Sequence, residues 1–311
     1  MGIWDFVRRV SVPPVPGHGE EVLFDEDFQR KIEYLAIVSR RVFAGRMRAE
    51  RRTRKTGSGI EFADHRNYVP GDDFRYLDWN VYQRFGKLLL RLFEEEEDLS
   101  IYLILDASRS MGFGDGRKLA YGKRLVAALA YVGLANLDRV AIVTTTDRVL
   151  ARMPSTRGKQ RIFRVFEFLR DTRADGTTDL GQALRVFASQ HKRRGLAVLV
   201  SDLYDPAGFE HGINALRYNK FEPFVLHLVD PKDAQPTLRG DVRIYDCETG
   251  EEREVTVTPR VLEKYRETYE HYLLEVQGFC TKKQVSYAQA DINVPFEEMV
   301  LRFLRRGGII G

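Results

Sequence analysis

Several stretches of this chain are apolar at almost every position, and segments with a helical pattern separate them. The apolar stretches are 100–106, 139–146, 196–202 and 223–229. Between them, apolar residues recur at helical spacings of three and four over 118–136, 160–170, 180–191 and 209–219. Strands that are apolar throughout are covered on both faces, and strands that alternate with helices usually pair in parallel. The pattern predicts an α/β fold, in which helices cover both faces of a mostly parallel sheet.

The two ends of the chain have different patterns. Residues 1–23 are rich in proline and glycine and predict a flexible arm, whereas residues 24–43 predict an amphipathic helix. Residues 56–98 mix aromatic residues with turn signals, which indicates short strands. A hairpin, a helix, a strand and a last helix are predicted over 238–258, 260–277, 285–291 and 296–305. We therefore expect three parts, namely an arm (1–23), a helix with a small β-rich subdomain (24–98) and the α/β domain (99–311).

Composition narrows the class of protein. With 43% apolar and 30% charged residues among 311, the chain is expected to form a globular core. The longest apolar segment, near 125–134, is shorter than the roughly 20 residues that cross a bilayer, and the N-terminus lacks a signal-peptide pattern. The two cysteines, Cys247 and Cys280, are too few and too distant for a disulfide framework or a zinc site. We predict a cytoplasmic protein without a membrane span.

Charge is unevenly distributed, although the net charge is only +4. Eight basic residues and one acidic residue lie between Arg40 and Lys55, and five acidic residues follow one another over 94–98. The basic run is compatible with nucleic acid or an acidic protein, but it contains few aromatic residues on which bases could stack. We favour a solvated helix end that pairs partly with the acidic run, and we do not expect nucleic acid to be the partner.

Oxygen-bearing side chains follow two of the apolar strands and precede one helix. The set comprises Asp106, Ser108, Ser110, Thr178 and Asp202. The carboxyl ends of parallel strands meet at one edge of a sheet, where ligands bind. Two carboxylates and three hydroxyls are hard ligands that suit Mg²⁺ or Mn²⁺. In the alternative interpretation, Ser110, Thr178 and Asp179 only cap helices, which leaves the two strand-ending aspartates unexplained.

The same set resembles the metal-ion-dependent adhesion site of the von Willebrand factor A fold, a Rossmann-type α/β fold. The residues that match its Asp-x-Ser-x-Ser motif and its second aspartate are Asp106, Ser108, Ser110 and Asp202. The family's threonine lies six residues before an apolar helix position, as Thr178 lies before Leu184, although Thr177 remains an alternative. The resemblance implies a von Willebrand factor A-like domain with a divalent cation.

This resemblance also implies that the site binds a partner rather than catalyses a reaction. In the family the ion keeps one coordination position open, which a carboxylate of a partner protein fills. None of the six histidines falls in a metal-ligand or triad pattern, so the sequence shows no general base. The alternative function is a Mg²⁺-dependent phosphohydrolase or nuclease that uses the same acids. A P-loop motif is absent from the sequence.

A second resemblance rests on the segment before the first apolar strand. Its pattern is Gly59-Ile60-Glu61-Phe62, then Arg66-x-Tyr68-x-Pro70-Gly71-Asp72-Asp73-x-Arg75, then Asp78-Trp79. This hallmark resembles that of domain-of-unknown-function family 58, and the likeness covers roughly residues 24–230. Many members carry two N-terminal transmembrane helices, and none is expected within this sequence. The resemblance implies a bacterial protein that acts as an adaptor or partner of a MoxR-type AAA+ ATPase, which remodels or assembles a client.

The hallmark residues have two interpretations. We predict that they contact a partner, because aromatic and arginine side chains often dominate interfaces. These candidate partner-binding residues are Arg66, Tyr68, Asp72, Arg75, Asp78 and Trp79. In the alternative, the aromatic residues only pack the small subdomain onto the sheet. The charged residues Arg66, Arg75 and Asp78 form either a buried ion network or one that faces a partner.

Overall fold

The computed structural model describes residues 23–50, 52–56, 61–96, 100–113 and 115–306. The strands are β1 (Arg52–Thr56), β2 (Glu61–Asn67), β3 (Leu89–Glu96), β4 (Ser100–Asp106), β5 (Arg139–Thr145), β6 (Val149–Thr156), β7 (Leu196–Ser201), β8 (Glu222–Val229), β9 (Gly240–Tyr245), β10 (Glu252–Val257) and β11 (Ser286–Asp291). The helices are α1 (Glu26–Glu50), α2 (Trp79–Phe85), α3 (Arg117–Ala135), α4 (Ile162–Asp171), α5 (Leu180–Gln190), α6 (Glu210–Tyr218), α7 (Pro231–Ala234), α8 (Pro259–Lys282) and α9 (Phe296–Arg306). Short 3₁₀ turns lie at Phe74–Tyr76 and Lys159–Arg161.

The described residues form two compact units. The larger unit contains those up to Ser39 and from Ser100 onward, and the smaller unit contains those in between. The larger unit contains a six-stranded sheet in the order β11-β8-β7-β4-β5-β6. All neighbouring strands are parallel except β6, which pairs antiparallel with β5 at the edge. The predicted α/β class with a mostly parallel sheet is therefore confirmed. The predicted hairpin is also present, because β9 and β10 pair antiparallel with each other.

Helices lie against both faces of this sheet. On one face, α5, α6 and α8 bury a core that includes Tyr102, Ile104, Leu184, Phe187 and Tyr272. On the other face, α3 packs closely, because a Cβ atom on Gly122 would lie 3.1 Å from Leu105 Cδ1 and 3.2 Å from Leu228 Cδ1. A glycine at this position lets the helix approach the ends of β4 and β8.

The first half of α1 belongs to the larger unit. Phe24 stacks on Phe166 with ring centroids 4.5 Å apart, and Phe28 lies 4.8 Å from Phe296. The sequence boundaries grouped residues 24–98 together, whereas the two compact units divide this helix after Ser39 because of these aromatic contacts. Residues 1–22, which contain nearly all of the predicted arm, lie outside the described residues.

The smaller unit contains a three-stranded antiparallel sheet in the order β1-β3-β2, together with α2. Asp78 caps α2 by accepting hydrogen bonds from two backbone amides, and Gly86 ends it in the left-handed conformation at φ 65°. The basic run between Arg40 and Lys55 falls on the end of α1 and on β1, where the side chains lie outside the described residues. Among the helices that the structure describes, none is long and apolar enough to cross a membrane.

Candidate functional site

The candidate site lies where β4 and β7 end. These strands are parallel neighbours with Leu105 opposite Val200, so the residues that follow each strand emerge at the same edge of the sheet. Ser201 donates a hydrogen bond of 2.6 Å to Asp106 Oδ2. The side chains of Asp106 and Asp202 are both fully buried. The two predicted aspartates therefore come together at this edge, where the two central strands of the sheet end.

The loop after β4 connects the two aspartates through serine hydroxyls. Asp106 Oδ1 accepts a hydrogen bond of 2.9 Å from the backbone amide of Ser108, which turns the chain tightly. The hydroxyls of Ser108 and Ser110 lie 2.9 Å apart, and Ser110 Oγ donates to Asp202 Oδ1 at 3.3 Å. Hydrogen bonds thus join four of the five predicted ligands into one buried set, in which the backbone amide of Ser108 makes the link to Asp106.

The predicted threonine is held beside this loop. The backbone amide of Asp175 donates to the carbonyl of Ala107 at 2.9 Å, and that of Arg109 donates to the carbonyl of Gly176 at 3.3 Å. Thr178 is buried, whereas Thr177 is exposed. Both the hydroxyl and the amide of Thr178 donate to a carboxylate that the sequence did not single out, that of Glu248.

The helix-capping interpretation fits one residue of the three. Asp179 is the N-cap of α5, because its Oδ1 accepts a hydrogen bond of 2.7 Å from the amide of Gln182. Gly116 occupies the N-cap position of α3, so Ser110 does not cap that helix. Ser110 and Thr178 instead direct their hydroxyls to the carboxylates of Asp202 and Glu248.

A buried lysine completes the site. Lys118, in the first turn of α3, is 4% exposed and donates to Asp202 Oδ2 at 2.8 Å and to Asp233 Oδ2 at 3.1 Å. Its ammonium also lies 4.9 Å from the centre of the Tyr204 ring. Burial alone would lower the pKa of Lys118, but the two carboxylates outweigh that effect and raise it, so the ammonium stays charged. Lysines on amphipathic helices usually face solvent, so no sequence pattern indicates this contact.

His227 supports Asp202 from the neighbouring strand. Its Nε2 lies 3.1 Å from the Asp202 carbonyl and its Nδ1 lies 3.1 Å from the Tyr287 hydroxyl. Burial lowers the pKa of His227 to about 4, so the imidazole is neutral at physiological pH. A neutral ring that donates from Nε2 and accepts at Nδ1 satisfies both contacts.

The electrostatics of the site favour a positive ligand. Burial and the adjacent charge of Asp202 raise the pKa of Asp106 to about 7. Lys118 is the ammonium that contacts Asp202 and Asp233, while Asp106 bonds to serine groups. On β5, opposite Asp106, the buried Thr145 Oγ1 has no hydrogen-bond partner among the described residues. A cation beside Asp106 would favour the ionised carboxylate.

The donor chemistry fits a hard cation rather than a soft one. Within the described ranges, no three histidine, cysteine, aspartate or glutamate side chains cluster in the manner of a carboxylate or thiolate metal centre. The oxygen atoms that do converge are two carboxylates and the serine hydroxyls between them. Such mixed oxygen sets suit Mg²⁺ or Mn²⁺ and hold no sulfur or imidazole for zinc.

The hallmark residues lie in the smaller unit, and four of the charged ones pair with each other. Arg66 Nη2 donates to Asp72 Oδ1 at 2.8 Å, and Arg75 binds Asp73 through its Nε and Nη2. His65 lies 3.0 Å from Asp78. The charged residues of the hallmark therefore form local ion pairs, but the two arginine pairs are exposed rather than buried.

The aromatic residues of the hallmark are more open. Tyr68 stacks on Phe74 at 5.3 Å, and Trp79 meets Tyr82 edge to face at 6.1 Å. Trp79 is 56% exposed, which is unusual for so large an apolar side chain. The structure thus leaves this part of the hallmark available for contact.

Comparison with known proteins identifies relatives in mycobacteria. The chain is 27% identical over 216 residues to "Uncharacterized protein Rv1480" of Mycobacterium tuberculosis, which covers 67% of each chain. It is 30% identical over 87 residues to "Uncharacterized protein MAV169" of Mycobacterium avium, covering 28% of this chain and 51% of the relative.

Among solved structures, the chain is similar to the hypothetical protein BatB of Bacteroides thetaiotaomicron, with 14% identity and a TM-score of 0.41 over 68% of this chain and 99% of that one. It is also similar to an aerotolerance-related membrane protein of Bacteroides fragilis, with 14% identity and a TM-score of 0.42 over 68% and 100% of the two chains. The model of the family described as "Protein of unknown function DUF58" matches residues 64–274. Because that match spans more than half of the sequence, this chain belongs to the DUF58 family.

Proposed function

We propose that this protein is a metal-ion-dependent protein-interaction module with a von Willebrand factor A-like domain. In this proposal the ligands of Mg²⁺ or Mn²⁺ are Asp106, Ser108, Ser110, Thr178 and Asp202. The observation that carries the proposal is the buried, hydrogen-bonded set that runs from Asp106 through the two serines to Asp202. When bound, the cation supplies a positive charge that attracts a carboxylate of the partner.

The residues around the ligands are arranged to orient them. Lys118 holds Oδ2 of Asp202, so that Oδ1 faces Ser110. Ser201 holds Oδ2 of Asp106 in the same way, and the Ser108 amide holds Oδ1. Groups that hold a ligand in this manner fix its direction and strengthen metal binding. The burial of Thr178 and the exposure of Thr177 support Thr178 as the ligand.

The arrangement supports binding better than catalysis. A hydrolase with this site needs a group that activates water or attacks the substrate. His227 has both ring nitrogens engaged and a pKa lowered to about 4 by burial, so it is unsuited to proton transfer near neutral pH. The chain therefore offers the cation a rigid set of oxygen atoms and leaves the remaining ligand to a partner.

The partner class follows from the family resemblance. We propose a MoxR-type AAA+ ATPase, or its client, as the protein that supplies the carboxylate, and the cytoplasm as the compartment. The exposed Trp79 beside Tyr82 is a suitable second contact, because aromatic side chains often dominate interface energies. The other hallmark residues are proposed to shape this surface through their ion pairs.

The metal step is tested by measuring Mn²⁺ and Mg²⁺ binding by calorimetry for the purified protein. Asp106→Asn keeps the shape of the side chain but removes its charge, and we expect it to weaken binding at least about 100-fold, beyond the typical cost of changing a supporting residue. Asp171→Asn, at an exposed position on α4, is the matched control and should bind as the unmodified protein does. Equal affinity in the Asp106 variant would overturn the proposal.

The partner step is tested by co-purification from the native host with and without chelator. We expect the partner to be recovered with Mg²⁺ and lost with chelator or with Asp106→Asn. Recovery that is independent of both would remove the role of the cation.

One observation favours the enzymatic alternative. The pKa of Asp106 is raised to about 7, which is the range in which a carboxyl group exchanges protons with a substrate near neutral pH. A Mg²⁺-dependent phosphohydrolase or nuclease would hydrolyse phosphate esters or nucleic acid and would lose turnover in Asp202→Asn. Absence of turnover with Mg²⁺ and Mn²⁺ would eliminate this function.

A further inference from the structure

We propose that the carboxylate of Glu248 covers the candidate site at Thr178, and that an acidic turn of a partner protein must displace it. The inference rests on the proposed function and deepens it. Glu248 lies in the turn between β9 and β10, far along the chain from the other site residues. Its Oε1 accepts a hydrogen bond of 2.5 Å from the Thr178 hydroxyl, and its Oε2 accepts one of 3.0 Å from the Thr178 amide.

The position of this carboxylate is unusual for a hairpin turn. Glu248 is 7% exposed, whereas the next two residues of the turn, Thr249 and Gly250, are exposed. A glutamate in a turn is normally solvated, because burying a carboxylate is unfavourable unless its surroundings compensate. Here the turn inserts its carboxylate against the threonine that we assign to the cation. It thus brings the chemistry of the expected partner into the site.

The turn is built to present Glu248. Asp246 Oδ1 accepts hydrogen bonds from the amides of Glu248 at 2.8 Å and Thr249 at 3.0 Å. The amide of Gly250 donates to the Asp246 carbonyl at 2.8 Å, and Gly250 adopts a positive φ of 74° that closes the turn. This preorganised turn holds the glutamate in one orientation, which lowers the entropy lost on docking.

A second contact binds the main chain of the turn. Arg109 Nη1 donates to the Glu248 carbonyl at 3.4 Å, while its Nη2 pairs with the exposed Asp175 at 3.3 Å. Arg109 belongs to the same loop as Ser108 and Ser110, so the loop that we assign to the cation also contacts the turn. The recognised feature is therefore a glutamate in a tight turn, with its backbone carbonyl available to an arginine.

Few apolar contacts hold the strands of the hairpin to the rest of the protein. Among the described strands, β9 and β10 pair only with each other and belong to no larger sheet. Most of their residues are half-buried or exposed, and the buried apolar ones are Ile244 and Val257. Two-stranded hairpins have little stability of their own, so this element can detach while the central sheet stays intact. The tethered Glu248 competes with the acidic turn of the partner. The apparent affinity for the partner is therefore reduced in proportion to the fraction of molecules whose site is open.

The experiment uses a peptide of this chain's own turn as the probe. A cyclised peptide of residues 241–256, with serine in place of Cys247 and a fluorescent label, is titrated in Mg²⁺ by anisotropy. The peptide is offered to the unmodified protein, to Glu248→Gln and to the control Glu251→Gln, whose side chain is 62% exposed in the same turn. We expect Glu248→Gln to bind the peptide at least about tenfold more tightly than the other two proteins, because its site is open. A peptide with glutamine in place of the glutamate that corresponds to Glu248 should not bind.

Two further measurements separate the possible failures. Calorimetry with Mn²⁺ should give Glu248→Gln an affinity within about threefold of the unmodified protein, since a displaceable ligand is not needed for the cation. Peptide binding that is equal or weaker in Glu248→Gln, or metal binding lost only in that variant, would overturn displacement and make Glu248 a positioning residue. Absence of metal binding in the unmodified protein would instead refute the proposed function. In the unmodified protein, saturating peptide should speed hydrogen exchange of the 246–250 amides, and unchanged exchange would also overturn displacement.

Discussion

Acidic residues in two regions of this molecule are treated in opposite ways. In the hallmark of the smaller unit, Asp72, Asp73 and Asp78 each lie beside a basic partner, and hydrogen bonds to their carboxylates lower their pKa values. In the candidate site of the larger unit, burial and the charge of Asp202 raise the pKa of Asp106. In the first region the neighbouring groups favour the ionised carboxylates, whereas in the second the surroundings of Asp106 disfavour its ionised form. Four predictions test this contrast.

The largest effect is expected from removing the buried ammonium. Lys118→Met keeps the length of the side chain but leaves Asp202 and Asp233 without their charged partner, which should reduce the free energy of unfolding by about 3–5 kcal/mol. Arg66→Met breaks the pair with Asp72 in the hallmark, where the arginine side chain is 43% exposed. This variant should change the free energy of unfolding by less than about 1 kcal/mol. Urea titration of both variants measures the difference. Similar losses in the two variants would erase the contrast.

The next effect is the pH dependence of stability. Because the pKa of Asp106 in the folded protein is about 7, above its ordinary value of 3.8, the folded state holds the proton more tightly. Its contribution is therefore complete below about pH 4 and is lost as the pH rises through about 7. Relative to Asp106→Asn, the unmodified protein should lose on the order of 2 kcal/mol between about pH 4 and 7, since one pKa unit equals about 1.4 kcal/mol and coupling to Asp202 spreads the titration.

Two controls sharpen this pH prediction. Saturating Mg²⁺ should abolish the loss, because a cation stabilises the ionised carboxylate. Relative to Asp72→Asn, the unmodified protein should become less stable as the pH falls, which is the opposite direction, since hydrogen bonds from Val69 and Arg66 lower the pKa of Asp72. The stability that Asp72 contributes is present above about pH 4 and is lost only as the pH falls below that value. Chemical unfolding at a series of pH values measures all three proteins.

A smaller effect is expected from adding the cation at neutral pH. Mg²⁺ at about ten times its dissociation constant should raise the free energy of unfolding by about 1.4 kcal/mol if it binds only the folded state. Asp202→Asn should lose this stabilisation, whereas Asp72→Asn should keep it. Thermal unfolding with and without Mg²⁺ is the measurement, and equal stabilisation of all three proteins would indicate non-specific ion binding.

The smallest effect on stability is expected at the exposed tryptophan. Trp79 is 56% exposed, so Trp79→Ala should change the free energy of unfolding by about 0.5 kcal/mol or less. If this residue contacts the partner, co-purification of the partner should nevertheless fall severalfold. Tyr218→Ala, at a position that is 85% exposed on α6, is the matched control and should retain the partner.

The sheet and part of the site are predictable from the sequence for the same physical reason. Strands that are apolar throughout are buried on both faces and pair in parallel, and parallel strands place the residues that follow them at one edge. That rule alone brings Asp106 and Asp202 together. Thr178 lies in a loop between two helices, so this rule does not reach it, and only the spacing shared with the von Willebrand factor A fold indicated it.

The rest of the site depends on contacts that no local pattern reveals. Lys118 meets Asp202 across 84 positions of the chain, and a buried lysine contradicts the usual preference of that residue for solvent. Glu248 lies in a turn where polar residues are expected simply because turns are exposed. The boundary within α1 is also hidden in the sequence, since only the packing of Phe24 and Phe28 shows which unit the first half of that helix joins.

The glycine at position 122 has a role that reaches beyond the packing of its helix. Lys118 lies one helical turn before it, so the distance between α3 and the sheet also determines how far the ammonium extends toward Asp202. A methyl group at Gly122 would meet Leu105 and Leu228, so that either these side chains or the helix would have to move by a few tenths of an ångström. Outward movement of the helix would lengthen the buried ion pair without altering any of its members. The packing of Gly122 against two leucines thereby helps to set the distance between the buried ammonium and the carboxylate of Asp202.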